Sequence, residues 1–577
     1  MRLKVALILI LATAMAGPAA ADDAFAEGLD LFNAGNWAPA AARLVVAATR
    51  APGDVVVRLT TGVALANVRR YAEALEQFKA ASNLLPQDPL PQLLLDGTYS
   101  ELGNAPLSRH ARSEANRVLT LEKPFGNPGS SDQALAASLE KYPKNAIAHC
   151  LLGDVCQLQG KPALAKEHYD KSSKLAPKWA KPVFNAGLAD LDSDPKAAEQ
   201  QFGRAIEMDP SNSRAYLWQG DAYLRQNRYP EAVEAYQNAA KDEAIAAEAN
   251  TRMGNAQMQA GDLPAASKQF DIAAKQAPED PRPLVGKAQV LQKKLKLEEA
   301  QQTYQQAAGV MSRNDANPAS QALVQNQMAG VNAEMGQYDD AAANFQAGFR
   351  YQPTKDNAEA LVITQQKANL LGKGIGENEA FLFENPNDTQ AMLYLLSAYK
   401  LKGNYIGRID MAGRLIKFDP ANAWAYHAEA GAAWMCLGKA ENAVDEYSRA
   451  LELGSPVTWS DTASSARQSG ALGLVREKYD AVYAASGKVK DGTILFDLQS
   501  AQGDLRGMVG TGLDLVQAYP DEPTLWLRLG EAYERAGKPD LAQVAYSKAA
   551  SMSNPEAASA ARSRLEILRT NTDKPSK

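Results

Sequence analysis

Apolar positions along this chain fall into helical patterns taken two at a time, each pair closed by turn residues. The arrangement returns every 34 residues. Gly28 and Gly62 stand 34 apart, as do Pro52 and Pro86, Gly153 and Gly187, Gly220 and Gly254, and Gly503 and Gly537. A period of this length with two helical patterns and two turns is a helix–turn–helix unit. One such unit cannot bury its apolar face alone, so neighbours must stack into a continuous core. Alanine is the dominant apolar residue, which suits helices whose axes approach closely.

Small and aromatic residues hold fixed places within the period. The C-terminal copy has Trp526, Leu529, Gly530 and Tyr533 in its first helix and Ala542, Tyr546 and Ala549 in its second. Central copies carry Tyr216, Gly220, Tyr223, Ala232, Tyr236 and Ala239, then Gly254, Ala266, Phe270, Ala273 and Pro278. Earlier ones carry Gly62, Ala74, Phe78, Ala81 and Pro86, and Gly153, Ala165, Tyr169 and Pro177. Later ones carry Ala341, Phe345 and Pro353, and Gly431, Ala443, Tyr447 and Ala450. This set resembles the tetratricopeptide repeat. The small residue on each helix lets the other cross close to it, and the aromatic fills the wedge. Gly35, Gly103, Gly160, Gly261, Gly336 and Gly438 are expected to be left-handed caps between helices, and proline ends the second helix. The resemblance implies an all-α, right-handed superhelical solenoid of about fifteen helix pairs with a C-terminal capping helix.

The organisation expected from this is a signal peptide over 1–21 and a first repeat block over 22–123. A turn-rich insertion follows at 124–145, then a central block at 146–355. A degenerate helix pair occupies 356–388, repeats resume at 389–456, and a second degenerate pair occupies 457–488. The last block runs over 489–556, with the cap at 557–569 (Leu565 and Leu568 on its apolar side) and a polar, disordered tail at 570–577. Repeats fill the chain, leaving no room for a catalytic domain.

The first residues add a destination. Arg2 and Lys4 precede an apolar run from Val5 to Ala16, and Ala19-Ala20-Ala21 offers a cleavage site before Asp22. The run is too short to span a bilayer. Export is expected, to a bacterial periplasm or beyond it, with no membrane segment in the mature chain. Losing Arg2 and Lys4 takes the net charge from −6 to −8, and a chain without a basic field is a poor partner for nucleic acid.

Chemistry is hard to find. Cys150 and Cys156 are expected on different sides of one helix and Cys436 lies far away, so no disulfide framework forms. Of four histidines, only His149 and His168 are expected to approach each other, and two ligands without clustered carboxylates make no metal site. Gly372, Gly374 and Gly376 read as an interhelical turn and not as a phosphate loop. No catalytic, cofactor-binding or metal residues are assigned. Four tryptophans off the repeat pattern, Trp179, Trp218, Trp424 and Trp459, are the aromatics to weigh for ligand contact against packing.

In the family the inner face is lined by non-signature residues of the first helices. Carried onto this chain, the resemblance implies a groove of Lys181, Phe184, Leu188, Arg214, Leu217, Asp221, Arg225, Glu248, Thr251, Asn255, Gln259, Arg282, Gln289 and Lys293. Its mixture of charge, amide and apolar groups suits an extended peptide or a protein partner. The function expected is an exported, non-enzymatic scaffold organising a cell-envelope complex. Two alternatives stand beside it: a component of an exopolysaccharide synthesis and export machine, with polysaccharide as a partner, and, less favoured, a glycosyltransferase bearing such repeats.

Overall fold

The structure, a computed structural model, describes residues 18–120, 125–126, 130–313, 317–552 and 554–572. The basic and apolar parts of the expected signal, much of the turn-rich start of the insertion and the last five residues lie outside these. The described residues form 32 α-helices and no strand. Consecutive helices pack as fifteen antiparallel-type pairs, and two helices stand outside the pairs. The chain divides into two compact units, Met1–Ala277 and Pro278–Lys577.

The first unit contains α1 (Pro18–Asn33), α2 (Trp37–Arg50), α3 (Val55–Asn67), α4 (Tyr71–Leu84), α5 (Pro89–Glu101), α6 (Ala105–Leu119), the unpaired α7 (Ser131–Lys141), α8 (Ala146–Leu158), α9 (Pro162–Leu175), α10 (Ala180–Asp190), α11 (Pro195–Met208), α12 (Ser213–Arg225), α13 (Tyr229–Ala239), α14 (Ala246–Gln259) and α15 (Leu263–Gln276). The second contains α16 (Arg282–Lys293), α17 (Leu297–Arg313), α18 (Pro318–Glu334), α19 (Tyr338–Tyr351), α20 (Lys355–Lys367), α21 (Leu371–Glu384), α22 (Thr389–Lys402), α23 (Tyr405–Phe418), α24 (Ala423–Cys436), α25 (Ala440–Leu453), α26 (Pro456–Ser469), α27 (Leu472–Ser486), α28 (Val489–Gln502), α29 (Leu505–Ala518), α30 (Pro523–Arg535), α31 (Pro539–Ala550) and the unpaired α32 (Pro555–Thr572).

Packing within a pair follows from the small residues. A Cβ built on Gly220 would stand 2.5 Å from the Tyr236 ring, and one on Gly530 would stand 2.4 Å from Tyr546. Only glycine lets these buried aromatics lie flat against the first helix. Ala232, Ala239, Ala542 and Ala549 are fully buried on the facing side. The six expected cap glycines all have positive φ. Arg69, Asn227, Leu295 and Asn369 take the same left-handed turn without being glycine.

Two expectations need correction. Gly372, Gly374 and Gly376 lie inside α21, because the left-handed turn falls earlier, at Asn369. The last helix runs to Thr572, so Thr570 to Thr572 belong to it and not to a tail. Leu565 and Leu568 pack against the core around Tyr546 and Tyr533.

The first unit is more than a one-dimensional stack. Its N-terminal helices fold back onto later ones, and a single core runs from Ala24 to Ala189. Phe32 meets Trp179 edge-on at 5.0 Å, and Asn33 Nδ2 donates to the Lys144 carbonyl at 2.7 Å. α7 serves as the wedge between the two runs. Its Ser131 N–H donates to Asp88 at 2.7 Å, while Lys141 (2.6 Å) and Tyr142 (2.9 Å) both bind the Asp22 carboxylate. The insertion therefore interrupts simple stacking and turns first helices α3 and α5 toward α8, α10 and α12.

Candidate functional site

That fold-back leaves a cavity of about 560 Å³ inside the first unit. One wall comes from α3 and α5 with Val63, Leu90, Leu94 and Gly97, and the other from α8, α10 and α12 with Leu158, Phe184 and Leu188. Volume and lining fit the usual form of a binding pocket, mostly apolar with a few placed polar groups. Arg214 closes one side by donating to Ser100 Oγ at 2.9 Å and standing 3.8 Å from Glu101. Trp179 contributes an edge but is itself buried against Phe32.

The central polar group is Asp154, one residue after the signature Gly153. The Tyr169 hydroxyl and Asn185 Nδ2 both donate to its Oδ1, each at 2.8 Å. Among the described residues Oδ2 receives no hydrogen bond, and the carboxylate makes no ion pair. Burial pushes its pKa up, and Lys181, Tyr169 and Asn185 only partly oppose this. The same burial, joined by the Asp154 charge, drives the Tyr169 hydroxyl far above its ordinary range, so it stays a donor. Lys181 lines the cavity without an ion pair or hydrogen bond among the described residues.

Two repeats on, the same place shows the satisfied version, while the repeat between carries Leu188 there. Asp221 follows Gly220, accepts from Tyr236 at 2.5 Å, and is neutralised by Arg252, 31 residues on. Arg252 also binds Glu248 at 2.6 Å and lies 4.7 Å over the Trp218 ring. In the second unit Asp497 is paired with Arg528 at the same separation, at 2.6 Å. At the place of these arginines Asp154 has Asn185. The residue pattern Gly-Asp with Tyr fifteen further on, at 153–169 and 220–236, is legible in the sequence, yet the expected groove omitted Asp154 by starting at Lys181 and passed over Asn185 between Phe184 and Leu188.

The expected groove residues separate into groups. Lys181, Phe184, Leu188 and Arg214 line the cavity. Leu217 does not: it is 3% exposed and packs in the core with Ala232 and Tyr236. Thr251 is likewise buried, its hydroxyl donating to the Ala247 carbonyl at 2.7 Å. Asp221 and Glu248 are held by Arg252, and Arg225 is paired with Asp192 at 2.6 Å. Asn255 is half-buried and Gln259 exposed, both outside the cavity. Arg282, Gln289 and Lys293 belong to the second unit. There Arg282 pairs with Asp280 at 2.7 Å, while Gln289 and Lys293 line a shallow polar cleft with Gln327 and Glu334. Lys181 is thus the expected basic residue that stays unpaired in the first unit.

Remaining candidates resolve into packing. Trp459 is buried and donates to the Leu451 carbonyl at 2.8 Å, and Trp424 is half-buried. His149 and His168 do meet, Nδ1 to Nδ1 at 3.2 Å. Burial, His168 and Lys171 hold His149 down at about 4, so both rings are neutral at pH 7. The described residues contain no cluster of three or more metal-ligating side chains. All three cysteines are free. In the second unit Glu429 is buried among Arg408, Lys355 and Lys400, from α23, α20 and α22. Burial alone would raise its pKa, but the three cations outweigh this and hold it at about 2.

Profiles of the tetratricopeptide repeat match residues 146–178, 192–248, 251–319 and 523–555. A human protein named Protein O-mannosyl-transferase TMTC3 is 24% identical over 166 residues, 28% of this chain, and the chain spans 17% of that protein's length. Among solved structures, yeast Tom70 aligns over 82% of this chain and 99% of its own, with 14% identity and a TM-score of 0.37. YrrB, described as a tetratricopeptide-repeat protein with an unusual peptide-binding site, aligns over 31% of this chain and 94% of its own, with 19% identity and a TM-score of 0.27. No described helix is long and apolar enough to cross a membrane.

Proposed function

We propose that this chain, a tetratricopeptide-repeat protein, is a binding scaffold that holds a segment of a protein partner against the first helices of its N-terminal unit and catalyses no reaction. The observation that carries this reading is the 560 Å³ cavity, whose walls are first helices and whose apolar lining is broken by a few polar groups. Extended segments suit such a surface, because apolar walls supply affinity and isolated polar groups supply register. We also propose that the chain works outside the cytosol, most simply in a bacterial periplasm as part of a cell-envelope complex. Arg2, Lys4, the apolar run and the alanine site support this. Cleavage before Asp22 would keep the carboxylate that anchors Lys141 and Tyr142.

Gly97 gives the test. A Cβ there would meet nothing within 4 Å, and the residue lines the cavity. Gly97→Leu on a helix interior should fold at least as well as the parent and fill the space. Immobilised wild type and variant are exposed to extract of the source cell envelope. A protein retained by the wild type and lost by Gly97→Leu supports the scaffold reading. Retention of glycan in place of protein would overturn it in favour of a role in polysaccharide export.

A further inference from the structure

The repeats of this chain share a ladder in which an aspartate of one first helix is met by a residue 31 positions later, on the next first helix. Asp221 meets Arg252 and Asp497 meets Arg528. Asp154 meets Asn185. Asparagine supplies one hydrogen bond to Oδ1 and no charge, so Oδ2 is left without a donor among the described residues, and it borders the cavity. A half-buried, desolvated carboxylate whose charge is offset only by Lys181, with no ion pair to it, costs stability. The other two rungs show that the fold accommodates the arginine that would remove the cost. Sites that keep such a cost are where a ligand is expected to supply the missing group.

We infer that the cavity of the first unit receives an arginine or lysine side chain from the partner, whose charged head completes the open rung at Asp154. The inference rests on the scaffold reading and names the chemistry of its partner. The apolar walls at Leu94, Leu158 and Leu188 suit the aliphatic stem of such a side chain, and the head would reach the one carboxylate in the depth. Arginine fits better than lysine, because its planar fork can bind Oδ2 while the Asn185 and Tyr169 bonds to Oδ1 persist. Glu101 at the rim offers a second acidic contact to a basic segment, in competition with Arg214. Lys181 opposes the entering cation, as the unpaired positive group of the lining. This opposition makes the sign of its mutation informative.

The experiment uses the full chain and fluorescein-labelled, C-amidated peptides carrying Leu-Arg-Leu, Leu-Gln-Leu or Leu-Glu-Leu at their centre, followed by fluorescence anisotropy. The arginine peptide should bind at least tenfold more tightly than either of the others. Asn185→Arg closes the rung from within and should weaken the arginine peptide at least tenfold, as should Asp154→Asn. Lys181→Ala should tighten it. Circular dichroism checks that each variant folds, and Asp154→Asn, which removes only a charge, carries the test if Asn185→Arg does not. Equal binding of the three peptides, preference for the glutamate peptide, or indifference to Asp154→Asn would overturn the inference. If a native partner is lost with Gly97→Leu but retained by both Asn185→Arg and Asp154→Asn, the scaffold reading stands and this inference falls. If the arginine peptide binds as described but no native protein is captured, the site stands and the scaffold reading falls.

Discussion

At the residue scale, one position decides the character of the site. Asp154 and Asp221 sit at the same place two repeats apart and each accepts a bond from its tyrosine, yet only Asp221 has an ion pair. Asp154→Asn should therefore stabilise the protein by about 1 kcal/mol at neutral pH, by removing a half-buried, desolvated charge that has no ion pair. Because burial raises the folded pKa of Asp154, its cost is absent in acid and appears as pH rises through that raised value. The advantage of the variant should therefore vanish at low pH, as urea unfolding at two pH values would show. Leu295 offers a second case. It holds φ 57° with its side chain 80% exposed, so it bears the left-handed strain without packing to offset it. Leu295→Gly should raise stability by about 1 kcal/mol, measured by denaturant midpoint.

At the element scale, the helix pair is the unit of cohesion, and the aromatic of the second helix is its wedge. Ala232 is fully buried at the crossing of α12 and α13. Ala232→Leu overfills that crossing and should cost roughly 1–3 kcal/mol. Loss of hydrogen-exchange protection should be greatest in α12 to α14 and small in the second unit; uniform loss across the chain would refute this. The two stretches poor in the repeat signature show what replaces the wedge. α20 packs on α19 and α22 and little on its own partner α21, and α26 packs more on α24 and α28 than on α27. There cohesion passes along first helices, through contacts such as the Tyr394 hydroxyl to Gln365 at 2.5 Å and Arg467 to the Ala501 carbonyl at 3.2 Å.

At the scale of the whole molecule, the two units have different polar centres and so different responses to acid. In the second unit Glu429 joins three cations from three helices. Its pKa is lowered to about 2 from 4.5, so its contribution is complete above about pH 4.5 and is lost as pH falls toward 2. Glu429→Gln leaves buried Arg408 without a counter-ion and should cost about 3–5 kcal/mol at pH 7. Thermal unfolding of wild type and variant at pH 7 and pH 2.5 should show that difference shrinking in acid. In the first unit the fold-back couples repeats far apart in sequence, such as Phe32 with Trp179 and Ser100 with Arg214. The cavity exists only because of that coupling.

The sequence by itself determined the helices, their pairing and the cap between them. These depend on local chemistry: glycine where an aromatic must lie flat, glycine at positive φ, proline past a helix end. It also contained the tyrosine–aspartate device, since Gly153-Asp154 with Tyr169 and Gly220-Asp221 with Tyr236 repeat at one spacing. What it could not decide is which first-helix residues face open space. Leu217 looked like lining and is core, because the next repeat covers it. The basic residues Arg214, Arg225 and Arg282, expected in the groove, are ion-paired, two of them with residues at least 33 positions away, the third with its own turn. The cavity at Asp154 required α7 to turn one run of repeats against another, and that depends on long-range packing that no repeat period encodes.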